Sequence, residues 1–149
     1  MTDLLDNMKF RRATLEDIPA IIAVQEMIMK KPVRQAWVET LRDALDNQRG
    51  RTVLAEYEGT VVAFLIGIIK TGAFGHDRSG WIEMLAVAPK YMGQGIGAAL
   101  ANELFEILKQ DQVDEVYTAV RWDSGDMLSF FKSTGFDRSE FINLRKKLT

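Results

Sequence analysis

Apolar and polar positions along this chain follow two periods, and the places where the period changes mark the elements. Met8 to Ala13 predicts a first strand. Thr14-Leu15-Glu16-Asp17 then offers a capping box, with Asp17 as a second cap and Pro19 tolerated near the helix start. Ile18, Ile21, Ile22 and Gln25 follow at helical spacing, so a helix is expected to about Met29, broken by Lys31-Pro32. A second amphipathic helix carries Trp37, Leu41, Ala44 and Leu45 on one face and stops near Asn47 to Gly50. Thr52 to Tyr57 and Val61 to Lys70 predict an antiparallel hairpin closed by Glu58-Gly59. The run from Val61 to Ile69 has little polar alternation, which places it centrally in a sheet with both faces covered. Thr71 to Gly80 reads as a loop.

Trp81 to Val87 is a strand, Ala88-Pro89 a turn, and Gly93, Gly95 and Gly97 open a helix that carries Ile96, Leu100, Leu104, Ile107 and Leu108 on one side. That helix ends near Gln110-Asp111, and Val113 to Arg121 is a further strand. Asp123 to Asp126 caps a short helix bearing Leu128, Phe130 and Phe131, which Gly135 ends. Phe136 to the C-terminus reads as a final strand pair. The fold class is therefore α/β (α+β): a mixed central sheet of about six to seven strands flanked by about four helices.

Composition narrows the function classes. A chain of 149 residues, 47% hydrophobic and 27% charged, is expected to form one domain over residues 1–149, with 1–7 as a flexible lead-in. A formal net charge of -2 argues against a general nucleic-acid surface. No cysteine is present, which excludes disulfides, thiolate metal sites and a cysteine nucleophile; His76 is the lone histidine, so no metal site is expected. No apolar run reaches the ~18 residues that span a bilayer. The start of the chain is acidic without a signal-peptide core, so a cytoplasmic location is expected.

The glycine-rich segment is the strongest chemical signal. Gly93, Gly95 and Gly97 at alternate positions expose successive backbone N–H groups where a helix dipole also points, which suits a phosphate or pyrophosphate. Gly93-x-Gly95-x-x-Ala98 formally fits a dinucleotide fingerprint, but Pro89 to Met92 separate it from its strand, and Asp114 and Glu115 begin a later strand where the fingerprint needs an acid ending one. A Walker-type loop fails for want of a Gly-Lys-Ser/Thr triplet. A turn used only for packing rarely needs three alternate glycines.

The same stretch resembles the GNAT superfamily of N-acetyltransferases. Leu85-Ala86-Val87-Ala88-Pro89 is similar to the family's small apolar strand end, and Gly95-Ile96-Gly97 to the core of its Gln/Arg-x-x-Gly-x-Gly/Ala loop. Met8 to Ile22, the Tyr57 to Phe64 hairpin and Ser129 to Phe136 resemble further family segments in the same order. Three positions depart from the pattern: Met92 replaces a frequent Gln or Arg, Ser124 stands about where many members carry Asn, and Phe131 replaces a tyrosine proposed to protonate the leaving thiolate.

The resemblance implies acetyl transfer from acetyl-CoA to a primary amine of a small molecule or protein, by direct attack in a ternary complex, without metal. It implies pyrophosphate on Gly93, Gln94, Gly95, Ile96, Gly97 and Ala98, pantetheine along Leu85, Ala86 and Val87 at a strand bulge, and Ser124 and Phe131 as further cofactor-binding positions. Neither nucleic acid nor a membrane is an expected partner; homodimers are common in the family. An amine of pKa ~10.4 costs roughly 4.6 kcal/mol to neutralise at pH 7, so a base is useful. Glu83 is the candidate, sharing a face with Trp81, Leu85 and Val87 by strand alternation; a carboxylate among apolar neighbours is suited to that work. The alternative is an acyl-CoA-binding sensor or regulatory domain with reduced or lost catalysis, motivated by Met92, Ser124 and Phe131.

Overall fold

The computed structural model describes residues 4–72 and 75–149. The first three residues of the expected lead-in, and residues 73 and 74 of the loop expected from Thr71 to Gly80, lie outside the described residues. The chain groups into two compact units, Met1–Ala119 and Val120–Thr149.

The first unit is built on a five-stranded sheet, β1 (Met8–Arg12), β2 (Val53–Tyr57), β3 (Thr60–Thr71), β4 (Arg78–Val87) and β5 (Val116–Thr118), ordered in space as in sequence. Its first four strands are antiparallel neighbours, and β5 joins β4 in parallel after a crossover through a helix. As its apolar run predicts, β3 is central and buried along most of its length. Its even positions Phe64 and Ile66 pack against α1 (Ile18–Met29) and α2 (Gln35–Asp43) through Ile18, Ile21, Val24 and Leu41. The opposite face carries α3 (Ile96–Gln110), whose Ile96, Leu100, Ala101, Leu104 and Leu108 are buried.

Helix α3 lies close to the sheet because glycines face it. A Cβ on Gly67 would stand 2.8 Å from the Arg51 carbonyl oxygen and 3.1 Å from Leu104 Cδ1, and one on Gly80 would stand 2.6 Å from Leu108 Cδ1. The far end of α3 is tied down by Arg51, a buried guanidinium whose Nε donates to Asp111 at 2.7 Å. At the start of α1, Asp17 accepts from both terminal nitrogens of Arg11 at 2.8 Å and from the Thr14 N–H at 2.7 Å, which supplies the expected cap through the carboxylate. The Arg11 bond in particular holds the Asp17 carboxyl below the usual aspartate range.

Several boundaries differ from expectation. Arg78 to Gly80 belong to β4 rather than to the preceding loop. β5 is only Val116–Thr118, not Val113 to Arg121. Leu4–Asn7, placed in the frayed lead-in, form a 3-10 turn, and Leu5 Cδ1 would lie 3.4 Å from a Cβ on Gly95. In the second unit, α4 (Gly125–Ser133) is followed by Gly135 at φ 100°, as its helix-ending role requires. No strand pair follows Phe136, so the sheet has five strands rather than six or seven among the described residues. Phe141, Ile142, Leu144 and Leu148 are all exposed, whereas a strand pair persists by burying an apolar face.

Gly67→Ala is expected to destabilise the protein by about 1–3 kcal/mol, because the backbone oxygen of Arg51 cannot move aside cheaply; a thermal melt beside wild type checks this. Asp17→Asn should also lower stability at neutral pH. Because the folded-state pKa of Asp17 is depressed, its contribution is complete above the ordinary value of 3.8 and is lost as pH falls below it. Denaturant titrations of wild type and variant should therefore converge in acid.

Candidate active site

The register between β3 and β4 slips by one residue. Ile66 lies opposite Met84 and Gly67 opposite Ile82, which leaves Glu83 as an extra residue without a partner. This is a β-bulge, and it resets the alternation of side chains along β4. Trp81 lies opposite Ile68 on the α1/α2 face, and Met84 and Ala86 pack into that same face. Leu85 and Val87 therefore turn to the α3 face. Glu83 stays with Trp81, as alternation predicts, but not with Leu85 and Val87; the inserted residue separates them. Nor are its surroundings purely apolar: Lys70 Nζ lies 3.8 Å from Glu83 Oε1, and both side chains are partly exposed.

The bulge also ends a ladder. β5 pairs with β4 only over Gly80, Trp81 and Ile82, with the Gly80 N–H donating to the Glu115 carbonyl at 2.9 Å and the Thr118 hydroxyl to the Ile82 carbonyl at 3.0 Å. Among the described residues no strand continues this pairing beyond Ile82, so the stretch from Glu83 to Val87 has an open edge. The Ala88 N–H points to β3, donating to Val62 at 2.8 Å. Alternation then turns Ala86 to β3 as well and leaves the N–H and C=O groups of Leu85 and Val87 on the open side. Of the expected trio, Leu85 and Val87 present backbone there, whereas Ala86 spends its backbone on β3 and its side chain on the core.

Just past this edge, Pro89–Tyr91 form a 3-10 turn, and the chain reverses through Gly93 and Gly95 at φ 77° and 85°. Those left-handed conformations favour glycine. Gly95 is the N-cap of α3, and the first helical hydrogen bond runs from the Ala99 N–H to the Gly95 carbonyl. Among the described residues, no protein acceptor meets the N–H groups of Gly93, Gln94, Gly95, Ile96, Gly97 or Ala98. Gly93, Gln94 and Gly95 are exposed, while Ile96 is 1% exposed and anchors the loop in the core. These donors, with the positive end of α3 behind them, line a cradle of a kind suited to an anion. Met92 is exposed beside it and adds no charge. Lys90 leans over the Tyr91 ring at 5.7 Å, and Tyr91 packs on Tyr57. A cavity of about 240 Å³ opens here, lined among others by Met27, Tyr57, Val61 and Tyr91.

On the face that carries Glu83 lies an aromatic and charged row that single-sequence reading does not assemble. The Trp81 indole stacks on Tyr117 with ring centroids 5.1 Å apart, donates from Nε1 to Ser79 Oγ at 2.8 Å, and carries Lys70 Nζ 4.0 Å from its centroid. The Tyr117 hydroxyl donates to Glu115 at 2.7 Å, and His76 Nε2 is 2.6 Å from the same carboxylate. His76 is thus a paired residue rather than a loose loop histidine. The Glu115-x-Tyr117 spacing is the only local signal of this row; the rest depends on strand register.

Ser124 and Phe131 belong to the second unit. Ser124 is the N-cap of α4, its carbonyl accepting from the Leu128 N–H while its hydroxyl makes no cap bond. Phe131 is buried, with edge-on contacts to Phe130 and Phe136 at 5.1 and 5.2 Å. Trp122, just before α4, is 87% exposed. Among the described residues no cluster of His, Cys, Asp and Glu could hold a metal ion, and no helix is long and apolar enough to cross a membrane.

Comparison with known proteins bears on this arrangement directly. The chain is 32% identical over 64 residues to N-alpha-acetyltransferase 30 of Schizosaccharomyces pombe, a match that spans 43% of each protein. In structure it resembles an aminoglycoside acetyltransferase from an uncultured soil metagenomic sample, with a TM-score of 0.80 and 19% identity over 99% of this chain and 100% of the other. It also resembles an aminoglycoside N-acetyltransferase solved with CoA (TM-score 0.79, 12% identity, 95% of each chain). A third resemblance is to the ribosomal-protein-S18-alanine N-acetyltransferase of Escherichia coli (TM-score 0.74, 20% identity, 89% of this chain and 79% of that one). The model of the acetyltransferase (GNAT) family matches residues 18–136, four-fifths of the chain, from the start of α1 to the end of the α4 segment. With the bulged strand, open edge and glycine cradle in the matched region, this chain belongs to the GNAT acetyltransferase family.

Proposed function

We propose that this protein transfers an acetyl group from acetyl-CoA to a primary amine by direct attack in a ternary complex. The observation that carries this reading is the continuity of three features along 83–98: a bulged carboxylate, an unpaired strand edge and a row of unpaired amides. Together they match the chemistry of coenzyme A. The cradle amides suit a pyrophosphate, and the alternating donors and acceptors of Leu85 and Val87 suit an amide-bearing arm added like a strand. Ser124 and Phe131 enter only as the further cofactor-binding positions that the family resemblance implies.

Bound acetyl-CoA supplies the acyl carbonyl and a thiol leaving group with an ordinary pKa of ~8.5, which departs readily near neutrality even though Phe131 carries no acidic hydroxyl. The protein supplies the rest. Glu83, directly or through water, accepts the proton that the amine must shed. An edge N–H beside the bulge can donate to the carbonyl oxygen as negative charge develops on it. The relatives' names speak of aminoglycosides and of a ribosomal-protein alanine, so small-molecule and protein acceptors both remain open. A CoA-binding domain without turnover is the second reading, motivated by Met92, Ser124 and Phe131, the three departures from the family pattern.

Gly95→Val should weaken CoA binding at least about tenfold, because it adds a side chain to the cradle and strains a left-handed backbone. Calorimetric titration checks this, and unchanged affinity sinks the pyrophosphate assignment. Glu83→Gln should lower kcat by about 10² while CoA affinity stays within about twofold. Thiol release with an amine panel measures the first and titration the second. Tight CoA binding by the wild type without turnover on any amine favours the second reading.

A further inference from the structure

Lys70 is not an ordinary surface lysine. Its ammonium sits over the Trp81 indole at 4.0 Å and 3.8 Å from Glu83 Oε1, so it projects from β3 across to β4. The indole is itself braced, by its hydrogen bond to the fully buried Ser79 and by its stacking on Tyr117. On the same face His76 Nε2 lies 2.6 Å from the Glu115 carboxylate, which also accepts from Tyr117. Lys70 and Glu83 form a separate pair over the braced indole.

A lone carboxylate beside an acceptor amine has two opposed effects. It can take the proton, but it also stabilises the ammonium form, which cannot attack. A cation fixed next to the carboxylate offsets the second effect, since any amine within reach of Glu83 also enters the field of Lys70. We propose that Lys70, held on Trp81, raises the turnover of strongly basic acceptors by keeping them from being trapped as ammonium ions beside Glu83. The inference rests on Glu83 acting as the base. It predicts that dependence on Lys70 grows with the basicity of the acceptor, a pattern that loss of packing alone does not produce.

The test uses the full chain with ethylamine, monofluoroethylamine and difluoroethylamine, three acceptors of similar shape and falling basicity, with CoA thiol release followed near neutral pH. Lys70→Met should lower kcat about tenfold for ethylamine and progressively less along the series, with the KM for the amine falling alongside it and CoA affinity unchanged. Lys70→Arg, which keeps the charge, should retain the wild-type pattern, and Trp81→Leu should shift it the same way as Lys70→Met but less. An equal loss on all three amines, or no loss, overturns the proposal while leaving the acetyltransferase reading intact. Wild-type protein that binds CoA yet acetylates neither these three nor any member of the wider panel of small amines and peptide N-termini contradicts that reading, and this inference with it.

Discussion

One extra residue in β4 organises the site. Without the bulge at Glu83, β4 would keep a strict alternation against β3, and Met84 and Ala86 would turn away from the α1/α2 core. The insertion lets both halves of β4 bury their apolar residues while exposing one carboxylate between them. The same local bend coincides with the end of pairing to β5 at Ile82, so the carboxylate and the open edge arise from a single irregularity. Unpaired backbone in a sheet is ordinarily a liability; here Leu85 and Val87 keep it beside the only bulged residue of the strand, where an extended amide ligand could complete the ladder.

The cradle depends on a second constraint, the close approach of α3 to the sheet. Gly67 and Gly80 remove the side chains that would hold the helix off, and Leu104 and Leu108 fill the space they leave. Ile96, buried in the first turn, fixes the helix start, and Arg51 fixes its end through Asp111. The amides of Ile96, Gly97 and Ala98 are therefore carried on the first turn of a packed helix, with Gly93 to Gly95 in the turn that leads into it. Charge at the site comes from backbone dipoles, since Met92 contributes none.

The elements legible in the sequence were those with a local cause. Ile18, Ile21, Ile22, Gln25 and the Lys31-Pro32 break mark α1, and the apolar run of β3 marks a strand covered on both faces. The cradle was legible because alternate glycines leave a compositional trace. The bulge was not, because it belongs to the register between two strands, and neither Gly67 nor Glu83 announces it alone. The Lys70–Trp81–Tyr117 row was hidden for the same reason, since it joins three strands. The C-terminal strand pair failed differently: Phe141, Ile142, Leu144 and Leu148 have strand-like character but stay exposed.

The account stands on the claim that the open edge and the cradle are the two ends of one coenzyme A site. Residue-resolved hydrogen exchange with and without CoA tests it most directly. CoA should slow exchange at Leu85 and Val87 and across Gly93 to Ala98, and leave Ala88, whose amide already donates to Val62, unchanged. Protection confined to other segments, or none at these amides under saturating CoA, would contradict it.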